Sequence, residues 1–149
     1  KERFIMSLQA KAITFLQEAK VLTYCTVVDD QPHCAPCYFS FLEEDGQYYL
    51  LFKSSEETQH IQEALINPKV AGSVLPNRKM EVSSNQGVQF KGKFILEEEE
   101  RMKLKKAYYA KFSYARAVPG EVWAIELIET KMTDNTLGFG KKLKWVKNN

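Results

Sequence analysis

Apolar and polar positions alternate along this chain with two distinct periods, and the changes of period mark its elements. In residues 7–19, Leu8, Ala12, Phe15, Leu16 and Ala19 fall at helical spacing and form one apolar stripe, with Ser7 placed to cap the helix start. The period then shortens. Residues 21–28 are a β-branched run, Asp29-Asp30-Gln31-Pro32 is a turn, and residues 33–42 form a second strand, which together predict a hairpin. Glu43-Glu44-Asp45-Gly46 makes another turn into a strand at residues 47–53, so the first half reads as an antiparallel meander.

A helix follows, with Ile61, Ala64 and Leu65 on one face and Thr58 near its start, closed by Asn67-Pro68. Residues 70–75 are a strand, residues 77–85 a loop, and residues 87–97 a strand in which Val88, Phe90 and Gly92 alternate with Gln89, Lys91 and Lys93. Residues 98–112 predict a third helix, with an acidic first turn that suits the helix dipole and Glu99 four residues before Lys103. A strand at residues 122–128, a short continuation at 131–133 and a terminal strand at 142–146 complete the pattern. Six or more closely spaced strands with three helices point to a single β-barrel-like α+β domain spanning residues 1–149.

Composition narrows the functional classes. The chain has 149 residues, 44% hydrophobic, enough to bury a core as one domain. Its net charge of +2 is the difference of 21 basic and 19 acidic residues interspersed along the chain, which argues against a nucleic-acid-binding surface. No apolar run reaches the roughly 18 residues of a membrane span, and Lys1-Glu2-Arg3 is not followed by a signal-peptide core, so a cytoplasmic protein is expected, with Met6 an internal methionine near its start.

Candidate chemistry gathers at Ser54-Ser55-Glu56-Glu57-Thr58-Gln59-His60. Ser54 or Ser55 can cap the helix, and the unpaired N–H groups of a helix start can hold a phosphate; an ordinary capped surface helix uses the same residues. His60 is either a donor to such an anion or a half-exposed helix histidine. Cys34-Ala35-Pro36-Cys37 has the spacing of a redox or zinc half-site, with Cys25 and His33 nearby. In a strand, positions three apart face opposite sides, so the three cysteines are read as small buried thiols, and no metal site is expected. The run Glu97-Glu98-Glu99-Glu100 is a solvated helix entry. Neither a Gly-x-Ser-x-Gly elbow nor a phosphate-binding Gly-x-x-x-x-Gly-Lys loop occurs.

The order of elements, with Gln31-Pro32-His33-Cys34-Ala35-Pro36, Tyr48-Tyr49-Leu50-Leu51-Phe52, Asn67-Pro68-Lys69-Val70-Ala71 and Gly87-Val88-Gln89-Phe90-Lys91-Gly92, resembles the pyridoxamine 5′-phosphate oxidase-like, FMN-binding split-barrel proteins over nearly the whole chain. The tail Lys131-Met132-Thr133-Asp134-Asn135-Thr136-Leu137-Gly138-Phe139-Gly140-Lys141-Lys142-Leu143 with Trp145 resembles their small YhbP-like subgroup. The resemblance implies a six-stranded antiparallel split barrel with flanking helices that forms a homodimer holding two FMN molecules at its interface. It further implies that Ala35, Pro36, Cys37 and Tyr38 run beside the flavin ring, and that Lys53, Ser54, Thr58, Gln59 and His60 surround the ribityl chain and phosphate. Gln89 would approach from a neighbouring strand, and Trp123 and Trp145 would supply aromatic contacts near the ring edge. Gln59, His60 and Ala35 stand where oxidases of the family carry basic residues, and Lys141-Lys142-Leu143-Lys144 lacks the pair that grips pyridoxal phosphate. The implied function is therefore a flavin-dependent oxidoreductase of another substrate, with catalytic residues unknown. The alternatives are a binding protein for flavin or another planar cofactor such as haem, or a cofactor-free dimeric interaction protein.

Overall fold

The computed structural model describes residues 7–79, 81–82, 85–138 and 140–148. Met6, Phe139 and part of the loop at 77–85 therefore lie outside the described residues. In chain order the elements are α1 (Ala10–Glu18), β1 (Val21–Val28), β2 (Gln31–Tyr38), β3 (Ser40–Glu44), β4 (Gln47–Ser54), α2 (Gln59–Ile66), β5 (Lys69–Val74), β6 (Gln86–Phe94), α3 (Glu98–Lys111), β7 (Glu121–Asp134) and β8 (Lys142–Val146). Short 3₁₀ turns occupy Ser113–Ala117 and Asn135–Leu137.

Among the described residues, eight strands form one antiparallel sheet in the order β2-β1-β5-β6-β7-β4-β3, with β8 also on β7. Eight exceeds the six implied by the resemblance because the run at 33–42 breaks at Phe39 into β2 and β3 and because the terminal strand expected at 142–146 joins the sheet as β8. The two segments at 122–128 and 131–133 are in turn one continuous strand, β7, whose 14 residues pair first with β4 and then with β8 on the same edge while β6 lines the other. A register shift between Lys91 and Gly92 re-aims β6 against β7.

Both hairpin turns are tighter than the sequence suggests. Val28 pairs directly with Gln31, so the first turn is Asp29-Asp30 alone, both at positive φ, and Pro32 belongs to β2. Proline is tolerated there because β2 lies at the end of the sheet order, where a missing N–H costs no ladder bond. Asp45 and Gly46 form the matching turn between β3 and β4.

The apolar run of β4 is buried on both faces. Tyr48, Leu50 and Phe52 enter the barrel core with α1 and α2, whereas Tyr49 and Leu51 meet Leu104 and Tyr108 of α3 on the outside. Helix α1 starts at Gln9 without a side-chain cap, not at Ser7, and seats Ala12, Phe15 and Leu16 in the core. Helix α3 has the acidic first turn expected of it, but Lys103 pairs with Asp45 and not with Glu99.

Candidate cofactor site

Strand β3 pairs with β4 only as far as Leu51, so the edge of β4 beyond that point is not covered by β3, and β2, at the other end of the sheet order, passes close to β4. This is the split in the barrel. Backbone N–H and C=O groups at such edges are available to a hydrogen-bonding heterocycle. Beside the split lies a cavity of about 600 Å³ between the end of α1, the β2–β3 junction, Lys53 and the turn after α3. Its walls are aromatic, with Tyr38, Phe39, Phe41, Tyr108, Phe112 and Tyr114, and carry the cations Lys20, Lys53 and Lys111. Tyr38 and Tyr114 are 82% and 70% exposed, unusual values for large aromatic side chains lining one cleft.

At the end of β4, Ser54 Oγ lies 2.8 Å from His60 Nε2, and Thr58 Oγ1 lies 3.4 Å from each of them. The cap of α2 is Thr58 and not Ser54 or Ser55, and it makes no side-chain cap bond; its hydroxyl donates to Ser55 O at 2.9 Å, while Ser55 turns to Glu57. The first turn of α2 thus keeps its positive dipole end free of a capping side chain. Tyr24 holds His60 twice: its hydroxyl donates to the backbone carbonyl of His60 at 2.9 Å, and its ring meets the imidazole edge-on at 5.8 Å. Burial, and then the nearby His33, lower the His60 pKa from its ordinary value of 6.5.

The structure brings together Ser54, Thr58 and His60, with Lys53 and Tyr38 in the adjoining cleft. Buried Ala35 lies opposite Tyr24 on β1, on the side of His60. Pro36 is exposed on the other face, and Cys37 packs against the core. Lys53 is held by Ala115 O at 2.9 Å and by Val118 O, over the ring of Tyr109 at 5.1 Å, so its charge serves the cleft and not the hydroxyl cluster. Gln59 gives its amide to Glu63 at 2.7 Å, which also accepts from buried Thr26 at 2.7 Å. These two bonds, led by Gln59, hold the Glu63 carboxyl below its ordinary range.

Trp123, Trp145 and Gln89, also expected at the site, lie outside the cluster and the cleft. Trp123 is 1% exposed and acts from beneath: Nε1 donates to Ser54 O at 2.9 Å, with Phe94 stacked at 5.6 Å and Arg101 at 4.0 Å over the ring. Trp145 is buried edge-on against Tyr48 at 5.4 Å, near the opposite end of β4 from Ser54. Gln89 lines a separate cavity of about 510 Å³ on the outer sheet face, with Cys25, Ser73 and Lys131. Conversely, Tyr24, Glu63 and the aromatic wall from α3 and its following turn were not singled out by the sequence. Lys111-Phe112-Ser113-Tyr114, an aromatic and cationic run where a solvated helix ends, is the signal that could have found that wall. Among the described residues no group of three or more His, Cys, Asp or Glu side chains could hold a metal ion, and no helix is long and apolar enough to cross a membrane.

The split sheet, with its cleft at the open edge, defines an α+β split barrel. Solved structures share it: a NimC/NimA family protein from Clostridium acetobutylicum, 18% identical, TM-score 0.66, covering 91% of this chain and 89% of that one; a heme binding protein from Mycobacterium smegmatis, 16% identical, TM-score 0.66, covering 91% and 56%; and a FAD-binding protein from Mesorhizobium loti, 17% identical, TM-score 0.59, covering 87% and 97%. No protein-family model matches the sequence. The UPF0306 protein YhbP of Salmonella paratyphi C is 40% identical over 134 residues, 89% of each chain, and the UPF0306 protein plu4501 of Photorhabdus laumondii is 37% identical over 132 residues, 88% of this chain and 90% of that one. The chain belongs to the UPF0306, YhbP-like family.

Proposed function

We propose that the protein binds FMN, with the phosphate at Ser54, Thr58 and His60 and the ring in the aromatic cleft beside Tyr38, and that it acts as a flavin-dependent oxidoreductase in a homodimer. The observation that supports this reading is the meeting of two features at the end of β4, where Lys53 lines the cleft and the next residue, Ser54, faces His60 across a helix start. The cleft volume falls within the range of small-molecule sites, and its aromatic walls and lysines suit a flat apolar ring bearing an anionic chain. The FAD-binding and heme-binding proteins of the same fold agree with a planar cofactor. Bound flavin would supply the hydride-transfer chemistry. The protein's own contribution is to orient the cofactor between Tyr38 and the α3 wall and to fix its phosphate by hydroxyls and an imidazole.

Flavin titration by fluorescence quenching tests this assignment. Thr58→Ala and His60→Ala are each expected to weaken FMN binding about tenfold or more, and to leave riboflavin, which lacks the phosphate, unaffected. Equal losses for both ligands, or none for either, place the phosphate elsewhere. The absorption spectrum of the purified protein decides the second reading: a Soret band in place of flavin bands identifies haem, and neither set leaves a cofactor-free interaction protein.

The lowered pKa of His60 gives the binding a pH signature. Burial keeps the imidazole neutral in the free folded protein, so the stability it contributes is present above pH 6.5 and lost as pH falls through its lowered folded value. A phosphate dianion beside Nε2 favours the charged form, so binding takes up a proton. FMN affinity is therefore expected to rise as pH is lowered towards 6.5, and riboflavin affinity to stay flat, with the FMN slope abolished in His60→Ala.

The homodimer is supported by the exposed Tyr38 and Tyr114 at the rim and by the open β2 edge. Light scattering at micromolar concentration is expected to give about twice 17.2 kDa, from an interface of more than roughly 2,000 Å². A monodisperse monomer contradicts this assembly.

A further inference from the structure

The cysteine pairing in space differs from the pairing in sequence. Cys34 and Cys37, the two ends of the Cys-Ala-Pro-Cys motif, face opposite sides of β2: Cys37 packs against the barrel core and Cys34 is exposed, contrary to the expectation of three buried thiols. Directly across the strand pair from Cys34 is Cys25 of β1.

The hydrogen-bond parity of the β1–β2 ladder makes this position special. Phe39 N donates to Lys20 O at 2.9 Å, and counting by twos from that pair puts the hydrogen-bonded pairs at Leu22–Cys37, Tyr24–Ala35, Thr26–His33 and Val28–Gln31. Cys25–Cys34 then falls at a non-hydrogen-bonded pair, as do Thr23–Pro36 and Val27–Pro32. The two prolines, which lack an N–H, confirm the parity, since only these positions spare them a ladder bond. At such pairs the Cα atoms approach to about 4.5 Å, inside the span of a disulfide, and side chains on the same face meet. Burial and contact with the Cys34 thiol push the Cys25 pKa up to about 11.

We propose that Cys25 and Cys34 form a reversible thiol–disulfide site on the outer face of the sheet, oxidised by exchange with a low-molecular-weight disulfide such as oxidised glutathione. Cys34, the exposed thiol, loses its proton to solvent and attacks one sulfur of glutathione disulfide; the S–S bond breaks and one glutathione thiolate leaves. Cys25, deprotonated in turn, attacks the Cys34 sulfur of the mixed disulfide, forming the cross-strand S–S bond and expelling the second glutathione. The two protein thiols give up two electrons and two protons, and glutathione disulfide is reduced to two thiols. Reduced glutathione in excess runs the sequence backwards. Neither sulfur faces the cluster at His60, which lies on the Tyr24 and Ala35 side of the strand pair.

Mass spectrometry after incubation with oxidised glutathione, blocking with iodoacetamide and cleavage before aspartate tests the pairing, because cleavage at Asp29 and Asp30 separates Cys25 from Cys34. In wild type the Cys25 peptide is expected joined to the peptide carrying Cys34 and Cys37, with one thiol left to alkylate; in Cys37→Ala the same joined peptide forms with no alkylatable thiol, and dithiothreitol restores both. In Cys34→Ser no joined peptide forms. A persistent glutathione adduct on Cys34 with Cys25 free, a Cys34–Cys37 link, a covalent dimer on a non-reducing gel, or thiols unchanged by oxidised glutathione would each overturn the proposal.

Discussion

Trp123→Ala is expected to lower folding stability by about 3 to 5 kcal/mol, measured by urea denaturation, and, with FMN seated at Ser54 as proposed, to abolish its saturable binding. The indole is 1% exposed and joins three elements, with Arg101 of α3 over its face, Phe94 of β6 stacked beside it and Ser54 O of β4 accepting from its N–H. Truncation therefore leaves a cavity, an unpaired carbonyl and an unsupported guanidinium together. Trp123→Phe separates packing from anchoring. It keeps an aromatic ring for Phe94 and Arg101 and removes the bond to Ser54, so its stability cost should be smaller than that of alanine while FMN affinity still falls. Wild-type FMN affinity in a folded Trp123→Phe protein means that Ser54 needs no such anchor.

Gly72→Ala is expected to cost about 2 to 4 kcal/mol although it adds one methyl group. A Cβ on Gly72 would stand 2.2 Å from Thr23 O and 2.6 Å from Phe90 Cζ. The ring of Phe90 can turn; the carbonyl belongs to the β1–β5 ladder, where Gly72 lies opposite Tyr24, and moving it shifts the strand that carries the tyrosine holding His60. Adding Phe90→Leu should accordingly recover only part of the loss. Gly87→Ala, whose Cβ would find Val74 O at 3.6 Å, is the control and is expected to be nearly neutral. Equal thermal midpoints for the two alanine variants would show that the β1–β5 pair yields more freely than its ladder suggests.

The meander at the start of the chain was legible because residues 21–54 alternate strand-forming runs with Asp, Glu and Gly turns, and turn chemistry is local. The same locality explains what went astray at the edges of elements. Pro32 reads as a turn residue in isolation, yet an edge strand accepts it; Ser7 and Ser55 read as caps, yet the backbone takes other starts once Leu8 and Thr58 are drawn to their partners. The helix-start cluster of Ser54, Thr58 and His60 was found because its members are close in sequence. Trp123 and Trp145 were assigned to the ring edge because aromatic character is visible in a sequence and burial is not.

Sequence alone determined the fold class, the succession of the elements and the hydroxyl and imidazole groups at the start of α2, since periodicity, turn residues and spacing are carried by neighbours in the chain. Tertiary structure decided everything that depends on register and on which edges remain open. It set Cys34 against Cys25 and turned Cys37 inward, drew Gln59 to Glu63 and Lys53 to the carbonyls after α3, and raised Tyr108, Phe112 and Tyr114 as a wall facing Tyr38. Strand pairing joins residues far apart in the chain, and a shift of one residue reverses every side chain's face, so these partners exist only once the sheet has closed as far as its split.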